Sequence, residues 1–201
     1  IDTKTLVIYS TLPQILVGII GLARSPRTVR WPVLAGMLGF AALGAAAGLY
    51  LFYRVPAGLF QLLLAAVITL SGLWLVLAPG RLTLTPPQAR ALDTLAGASQ
   101  ALFGISGPVA MTRLLATFPD KTTVRNYALA FFLGLNLFRA GGYLLHGTYT
   151  AAIAEMMLVS APFLVIALWY GNRLHFRVNE TWFRRVVAWV ILFGGVSLFF
   201  R

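Results

Sequence analysis

The stretch that decides the fold is DTLAGASQALFGISGPVAMTRLLATF, residues 93–118, an apolar segment that is interrupted near its centre. Gly104, Gly107 and Pro108 form the interruption. Glycine tolerates non-helical dihedral angles, and proline cannot donate a backbone hydrogen bond to the preceding turn. Each flank is about 12 residues long, or roughly 18 Å of helix, which reaches the middle of a bilayer. The segment is therefore either one kinked transmembrane helix or a re-entrant helical hairpin.

The composition of the whole chain agrees with a membrane environment. Of the 201 residues, 59% are apolar and 10% are charged, and the mean hydropathy is +0.84. Soluble domains are about half apolar and a quarter charged. The net charge of +11 comes from basic residues at the ends of apolar runs, where they anchor and orient transmembrane helices. The expected partner is thus the lipid bilayer and not nucleic acid.

The residues that build metal and covalent-catalytic sites are scarce. The chain has no cysteine and two histidines that lie far apart, which excludes thiolate metal sites and cysteine nucleophiles. No paired carboxylates, Ser-His arrangement or P-loop is found either. We therefore expect no cofactor and no enzymatic activity.

Seven apolar stretches have about the 20 residues that a bilayer-spanning helix needs. The links between them are too short to hold a soluble domain. No initiator Met is present, and Ile1 lies almost at the start of a span, so we expect a missing N-terminal segment and no signal peptide. The predicted spans are Thr5–Ala23, Trp31–Tyr53, Gly58–Leu77, Leu92–Phe118, Thr123–Leu145, Thr150–Tyr170 and Phe183–Phe200.

The chain contains an internal repeat. A shift of 123 positions gives 10 identities over residues 48–75, among them Gly48 with Gly171 and Arg54 with Arg177. A weaker register of 117 aligns Lys4-Thr5 with Lys121-Thr122. We predict two halves in a single transmembrane domain, with residues 1–80 as the first repeat, 81–90 as a linker and 91–201 as the second repeat. The first repeat lacks a counterpart of the interrupted segment.

The distribution of basic residues favours the hairpin over the kinked span. If residues 93–118 cross the membrane, the 16 Lys and Arg residues divide 7 against 9. If the segment is re-entrant, they divide 12 against 4, as the positive-inside rule requires. The second arrangement also inverts the two halves relative to each other, as in many transporters. The predicted fold is an all-α membrane protein with two inverted repeats of three transmembrane helices plus a broken or re-entrant helix.

The second half of the sequence resembles a known family. A Gly-rich break closed by Gly107-Pro108, a helix start at Lys121-Thr122 and an Asn136-x-x-Arg139 pattern are similar to the second half of the sulfite exporter TauE/SafE family of permeases. The first half resembles the family more loosely. The resemblance implies a bacterial inner-membrane permease for sulfite, an organosulfonate or a related small sulfur-containing anion.

The residues at the break are suited to binding such an anion. A half-helix that starts at Gly107 directs free N–H groups and a positive dipole end toward the midplane. We predict binding by the backbone around Gly104, Ser106 and Gly107, with the Ser106 hydroxyl as a further donor. Arg139 lies in an apolar span and could supply the counter-charge, or its side chain could instead snorkel to the interface. Asn136 lies one turn earlier on the same face.

Three further polar residues within apolar spans are candidates. Ser10 and Gln14 flank Pro13 in the first span and could face the same cavity, or they could bond within and between helices. Glu155 is the one carboxylate inside an apolar span and could couple transport to protons, or it could lie at the interface.

Two alternatives remain open at this stage. The small-residue run from Gly44 to Gly48 predicts close helix packing, either within the protein or in a homodimer. The functional alternative to a permease is a non-transporting membrane scaffold or assembly factor, which would not need a polar cavity.

Overall fold

The computed structural model describes residues 3–23, 29–77, 83–175, 189 and 192–197, and all regular structure in these ranges is helical. The last predicted span, Phe183–Phe200, lies largely outside the described residues, of which 192–197 are helical. The helices are α1 (Thr3–Tyr9), α2 (Thr11–Ala23), α3 (Trp31–Arg54), α4 (Ala57–Leu77), α5 (Pro86–Phe103), α6 (Gly107–Thr117), α7 (Lys121–Leu145) and α8 (Ala151–His175).

Three helical stretches in the described ranges are long and apolar enough to cross a bilayer. They are Thr3–Ala23, Trp31–Arg54 and Thr122–Leu145, with mean hydropathies of 1.9, 1.8 and 1.4. Shorter apolar stretches lie in α4 and α8, at Ala57–Ser71 and Ala151–Ala167. Large apolar side chains such as Leu43 and Leu145 point away from the protein, as expected for surfaces that face lipid. The predicted all-α membrane class is confirmed.

Local sequence explains where the long helices begin and end. Pro56 disfavours helical geometry at Val55, so α3 ends at Arg54. Asp120 caps α7, because its Oδ2 accepts from the Thr123 backbone N–H at 2.7 Å and from the Thr123 hydroxyl at 2.9 Å. This cap starts α7 at Lys121, two residues before the predicted boundary. At the other end, Gly147 has a φ of +61°, the left-handed geometry that commonly stops a helix.

Helices α5 and α6 form a hairpin that reverses at residues 104–106. The Nε atom of Arg113 in α6 lies 3.4 Å from both carboxylate oxygens of Asp93 in α5. In one continuous helix the 20 intervening positions would separate the two residues by about 30 Å. The interruption is thus a chain reversal and not a kink. The predicted linker 81–90 is only partly a linker, because α5 already begins at Pro86.

Helices α3 and α5 are parallel and pack at very close range. Arg90 at the start of α5 lies over the Phe40 ring of α3, and further along both helices Gly48 lies against Ala98. A Cβ atom at Gly44 or Gly48 would overlap the α5 backbone. The small-residue run therefore serves packing within the protein, and a homodimer stays a prediction.

Helix α7 is parallel to α3 and antiparallel to α2. Leu38 of α3 contacts Gly134 of α7, and Leu49, further along α3, contacts Gly142, further along α7. The two helices therefore run in the same direction. Along α2 the order is reversed, because Gly18 contacts Leu133 and Gly21 contacts Leu129. The starts of α3, α5 and α7 consequently lie at one end of the packed helices, and the hairpin enters from that end.

The chain divides into two compact units. The first comprises Ile1–Arg54 and Arg81–Glu155, and it contains the hairpin, α2, α3 and α7. The second comprises Val55–Gly80 and Met156–Arg201, where Gly195 lies against Thr69 of α4. Each unit draws residues from both sequence halves, so this is a different division from the two repeats, which stay a prediction.

Candidate functional site

The backbone geometry of the turn between α5 and α6 depends on its glycine and proline residues. Gly104 has a φ of +74°, in the left-handed region that glycine adopts without strain. Its N–H donates to Gln100 O at 2.9 Å and closes the last turn of α5. At the start of α6, the first backbone N–H group that bonds within the helix is that of Ala110, which donates to Ser106 O. The N–H groups of Gly107 and Val109 precede that bond, and Pro108 has none.

Gln100 is the centre of a buried network of amides and a hydroxyl. Its Nε2 donates to Gln14 Oε1 and to Asn136 Oδ1, both at 2.8 Å. Its Oε1 accepts from the Ser106 hydroxyl at 2.7 Å. The network therefore connects α2, α5, α7 and the turn that precedes α6.

Gln14 extends this network to the broken first span. Its Nε2 donates to Gly104 O at 3.3 Å and to the Ser10 hydroxyl at 3.5 Å. Ser10 itself donates to Val7 O and lies at the junction between α1 and α2. Pro13 explains this junction, because it lacks the N–H that would bond to Tyr9 O. The first predicted span is therefore interrupted at Ser10.

A cavity of about 360 Å³ opens beside the turn. Its polar lining consists of Gln14, Gln100, Ser106 and Asn136, together with the backbone of residues 104–107. The volume lies at the lower end of the range for small-ligand sites. Most of the wall surface is apolar, with contributions from Pro13, Val17, Gly18, Leu129 and Phe132. We call this space the break cavity.

Arg139 lies on another side of the same turn. Its side chain is fully buried, and Nη1 donates to Gln100 O at 2.9 Å. A Cβ atom at Gly104 would be 2.5 Å from the same nitrogen. The side chain therefore does not snorkel to an interface. A cation at this place stabilises the C-terminal, negative end of the α5 dipole, and Arg139 is not among the residues that line the break cavity.

The predicted binding residues converge on this turn. Gln14, Gly104, Ser106, Gly107 and Asn136 line the cavity, while Ser10 and Arg139 contact its lining residues. The Ser106 hydroxyl donates to Gln100, so it orients that amide in place of acting as the extra donor that the sequence suggested. Whether these residues bind an anion stays a prediction.

Glu155 lies apart from the lining residues. It is exposed and near the start of α8, and it does not line the break cavity. Its coupling role stays a prediction.

Gln100 is the site residue that sequence reasoning left out. It is 3% exposed and makes three bonds within the network. The sequence signal for Gln100 is its position one helical turn before Gly104 in the interrupted segment. The neighbouring Ser99 shows why this signal is weak, because the Ser99 hydroxyl bonds only to Ala96 O in its own helix.

The electrostatic character of the site is neutral to positive. Among the residues that the structure describes, no carboxylate lines the break cavity, and no group of three or more His, Cys, Asp or Glu side chains is suited to a metal ion. Several apolar helices that are long enough to cross a bilayer define a multi-pass membrane protein, and a cavity at an interrupted helix is a feature that many transporters share.

Comparison with known proteins places the chain in a family. The family described as "Sulfite exporter TauE/SafE" matches residues 1–198, so the chain belongs to the sulfite exporter TauE/SafE family. Members are membrane permeases for sulfur-containing anions and not enzymes. Neither a curated protein nor a solved structure matches the chain. The family that the sequence resembled is confirmed.

Proposed function

We propose that this protein is a secondary permease that moves a small sulfur-containing anion, such as sulfite or an organosulfonate, through the break cavity. One observation carries the proposal: a cavity of about 360 Å³ lies at an interrupted helix, and the few polar side chains of its mostly apolar wall are gathered at the break. Polar groups and irregular backbone are costly at membrane depth and are tolerated where they line a substrate path.

The hydrogen-bond directions in the cavity support an anion as the substrate. Asn136 accepts from Gln100 through Oδ1, which leaves its Nδ2 group to donate into the cavity. The N–H of Gly107 at the start of α6 is a second donor. Sulfite and sulfonates carry delocalised charge on several oxygens, and fixed N–H donors replace part of their hydration. None of the described carboxylates lines the cavity, which disfavours a cation as the substrate.

The positive charge of Arg139 supports the same conclusion. The guanidinium contacts the carbonyl of Gln100 and the turn at Gly104, both of which belong to the cavity wall. Charge interactions are strong where water is excluded. Arg139 thus raises the potential at the cavity even though it does not line it.

The helix directions support a re-entrant hairpin and an inverted-repeat topology in the inner membrane. Helix α7 runs antiparallel to α2, its counterpart in the register of 117, and the hairpin enters from the end where α7 begins. With a re-entrant hairpin, 12 of the 16 Lys and Arg residues lie on the cytoplasmic side. The break cavity is then reached by alternating access between the repeats.

Flux into proteoliposomes tests the proposed function. Purified protein is reconstituted, and uptake of sulfite, thiosulfate, sulfate and methanesulfonate is compared with that of protein-free vesicles. We expect saturable flux of a sulfur-containing anion and a KM increase of about 10- to 100-fold in Asn136→Ala, because a hydrogen bond to the charged substrate is lost. Ser160→Ala is the control, since that hydroxyl bonds to Met157 O within α8.

The alternative of a non-transporting scaffold has its own support. Gln100 bonds to Gln14, Asn136 and Ser106, and such a network would also hold helices together in a scaffold. A folded, reconstituted protein that moves none of the four anions would favour this alternative and contradict the permease.

A further inference from the structure

Arg139 is a buried cation without a negative partner among the described residues. Its Nε and Nη2 atoms have no hydrogen-bond partner there, and Nη1 reaches only a backbone carbonyl. A buried charge is normally paired, because removing it from water is costly. The guanidinium edge that carries Nε and Nη2 has the spacing that binds two oxygens of one anion.

Tyr143 lies next to the Arg139 guanidinium and carries a further hydroxyl donor. It follows Arg139 by one helical turn, so the two side chains share a face of α7. The Arg139 guanidinium carbon is 5.9 Å from the centre of the Tyr143 ring. Tyr143 is fully buried, and its hydroxyl has no partner among the described residues.

Tyr149 completes the group, which we call the Arg139 cluster (Arg139, Tyr143 and Tyr149). It lies in the link between α7 and α8, near Thr11, and its hydroxyl has no hydrogen-bond partner among the described residues. Burial raises the pKa of the Tyr149 phenol, although the nearby Thr11 hydroxyl and the charge of Arg139 act in the opposite direction. The phenol is therefore neutral near pH 7 and is a donor, not the counter-ion of Arg139.

The cluster is separate from the break cavity. None of its three residues lines that cavity. Gly104 lines the cavity and also lies against Arg139 Nη1, so the hairpin turn stands between the two groups of donors. An anion held by the cluster would occupy a different position from an anion held by Asn136 and Gly107.

We propose that the Arg139 cluster is a second oxyanion site, in which Nε and Nη2 of Arg139 bind two oxygens of the anion and the Tyr143 hydroxyl binds one of them. The identity of the transported anion rests on the proposed function, but the site does not. Because the guanidinium fork matches two oxygens on one edge, the site favours sulfite, sulfate and sulfonates over a spherical halide.

Thermal unfolding in detergent tests the site without transport. Wild type is compared with Tyr143→Phe, with Arg139→Lys and with Tyr127→Phe, at increasing sulfite, sulfate or chloride and constant ionic strength. We expect sulfite and sulfate to raise Tm more than chloride does. The anion concentration that gives half of this rise should increase about 10-fold or more in Tyr143→Phe and Arg139→Lys, since each loses a charge-assisted bond.

A control variant and the Tm measured without anion separate a loss of anion binding from a loss of protein stability. Tyr127 is the matched control, because it is equally buried on α7 but its hydroxyl accepts from the Arg30 N–H at 3.0 Å. Tyr127→Phe should lower the anion-free Tm and leave the anion response unchanged. Tyr143→Phe should keep or raise the anion-free Tm, since it removes a buried hydroxyl without a partner. An unchanged anion response in both Tyr143→Phe and Arg139→Lys would overturn the inference.

Flux measurements distinguish this failure from a failure of the proposed function. If wild type transports a sulfur-containing anion and the two cluster variants have wild-type KM values and anion responses, the second site falls and the permease stands. If wild type transports none of them but sulfate still raises Tm in a Tyr143-dependent way, the site stands and the permease falls.

Discussion

Asp93 and Arg113 lie 3.4 Å apart although they are 20 positions apart in the sequence. This pair joins the two arms of the hairpin at a distance from its turn. The side chain of Asp93 is 3% exposed and that of Arg113 is 14% exposed, so water screens the interaction only partly. The pair therefore reports directly on whether α5 and α6 fold back on each other.

Arg113→Ala should destabilise the protein, because it leaves the Asp93 carboxylate buried without a cation. Breaking a fully buried pair costs about 3–5 kcal/mol, and we expect about 1–3 kcal/mol here because Arg113 is partly exposed. Thermal unfolding in detergent measures the change. Arg125→Ala is the control, since Arg125 is an exposed arginine at the start of α7. Equal Tm values for the two variants would argue against an energetically important pair.

Cysteine labelling tests the re-entrant topology. The natural sequence has no cysteine, so single-cysteine variants can be labelled without background. Ala91→Cys, in the first part of α5, and Thr122→Cys, after the hairpin, are at exposed positions and should react with an impermeant maleimide from the same side of the membrane. His146→Cys, beyond the end of α7, should react from the opposite side. Labelling of Ala91→Cys and Thr122→Cys from opposite sides would contradict the hairpin and restore a crossing segment.

Gly104→Ala should impair both folding and flux. The φ of +74° costs a side-chain-bearing residue about 1–2 kcal/mol, and the new Cβ would also displace Arg139 from the turn. We expect a lower Tm and a flux reduced by at least 10-fold. Gly141→Ala is the matched control on α7, because nothing lies within 4 Å of a Cβ atom there. That variant should be neutral or slightly stabilising, as alanine favours a helix more than glycine.

Gln100→Leu should destabilise the protein strongly, although leucine and glutamine side chains are similar in size. It leaves Gln14, Asn136 and Ser106 without their shared partner, and unsatisfied buried polar groups cost about 1–3 kcal/mol each. We expect a loss of about 2–4 kcal/mol in unfolding free energy and little or no flux. Ser99→Ala, one residue away, loses only a bond to Ala96 O in its own helix and should retain both properties. Wild-type stability in Gln100→Leu would show that the network contributes little.

Asp120 gives a pH-dependent contribution to stability. The backbone and hydroxyl hydrogen bonds from Thr123 lower its pKa from the ordinary value of 3.8. A lowered folded-state pKa means that the cap stabilises α7 above pH 3.8 and that this contribution disappears as the pH falls through the folded value. The Tm difference between wild type and Asp120→Ala should be present at pH 6 and shrink below pH 3.8. A difference that does not change with pH would contradict the cap.

Much of the membrane architecture was predictable because it depends on local sequence. Apolar length predicted Trp31–Tyr53 and Gly58–Leu77, which the structure extends by one residue each. The glycines and Pro108 predicted the break between α5 and α6, since only these residues relax or forbid helical geometry. The boundary of α7 was less accurate because the Asp120 cap depends on side-chain geometry.

The site was predictable only in part. Polar residues in apolar spans are few, so Asn136, Gln14 and Arg139 stood out in the sequence. Gln100 did not, because its importance comes from three partners on separate segments. The direction of each hydrogen bond also depends on those partners, which is why the sequence did not predict that the Ser106 hydroxyl donates to Gln100 Oε1.

The amino-acid order alone determined that the chain is a membrane protein, where its helices lie, and where one of them breaks, since each depends on apolar length or on the backbone preferences of a few residues. Only the tertiary structure decided that the break is a reversal, with Asp93 beside Arg113, and that Arg139 points at the turn and not at the membrane surface. The reason is that both facts concern residues distant in sequence, and their contacts arise from how helices pack against one another.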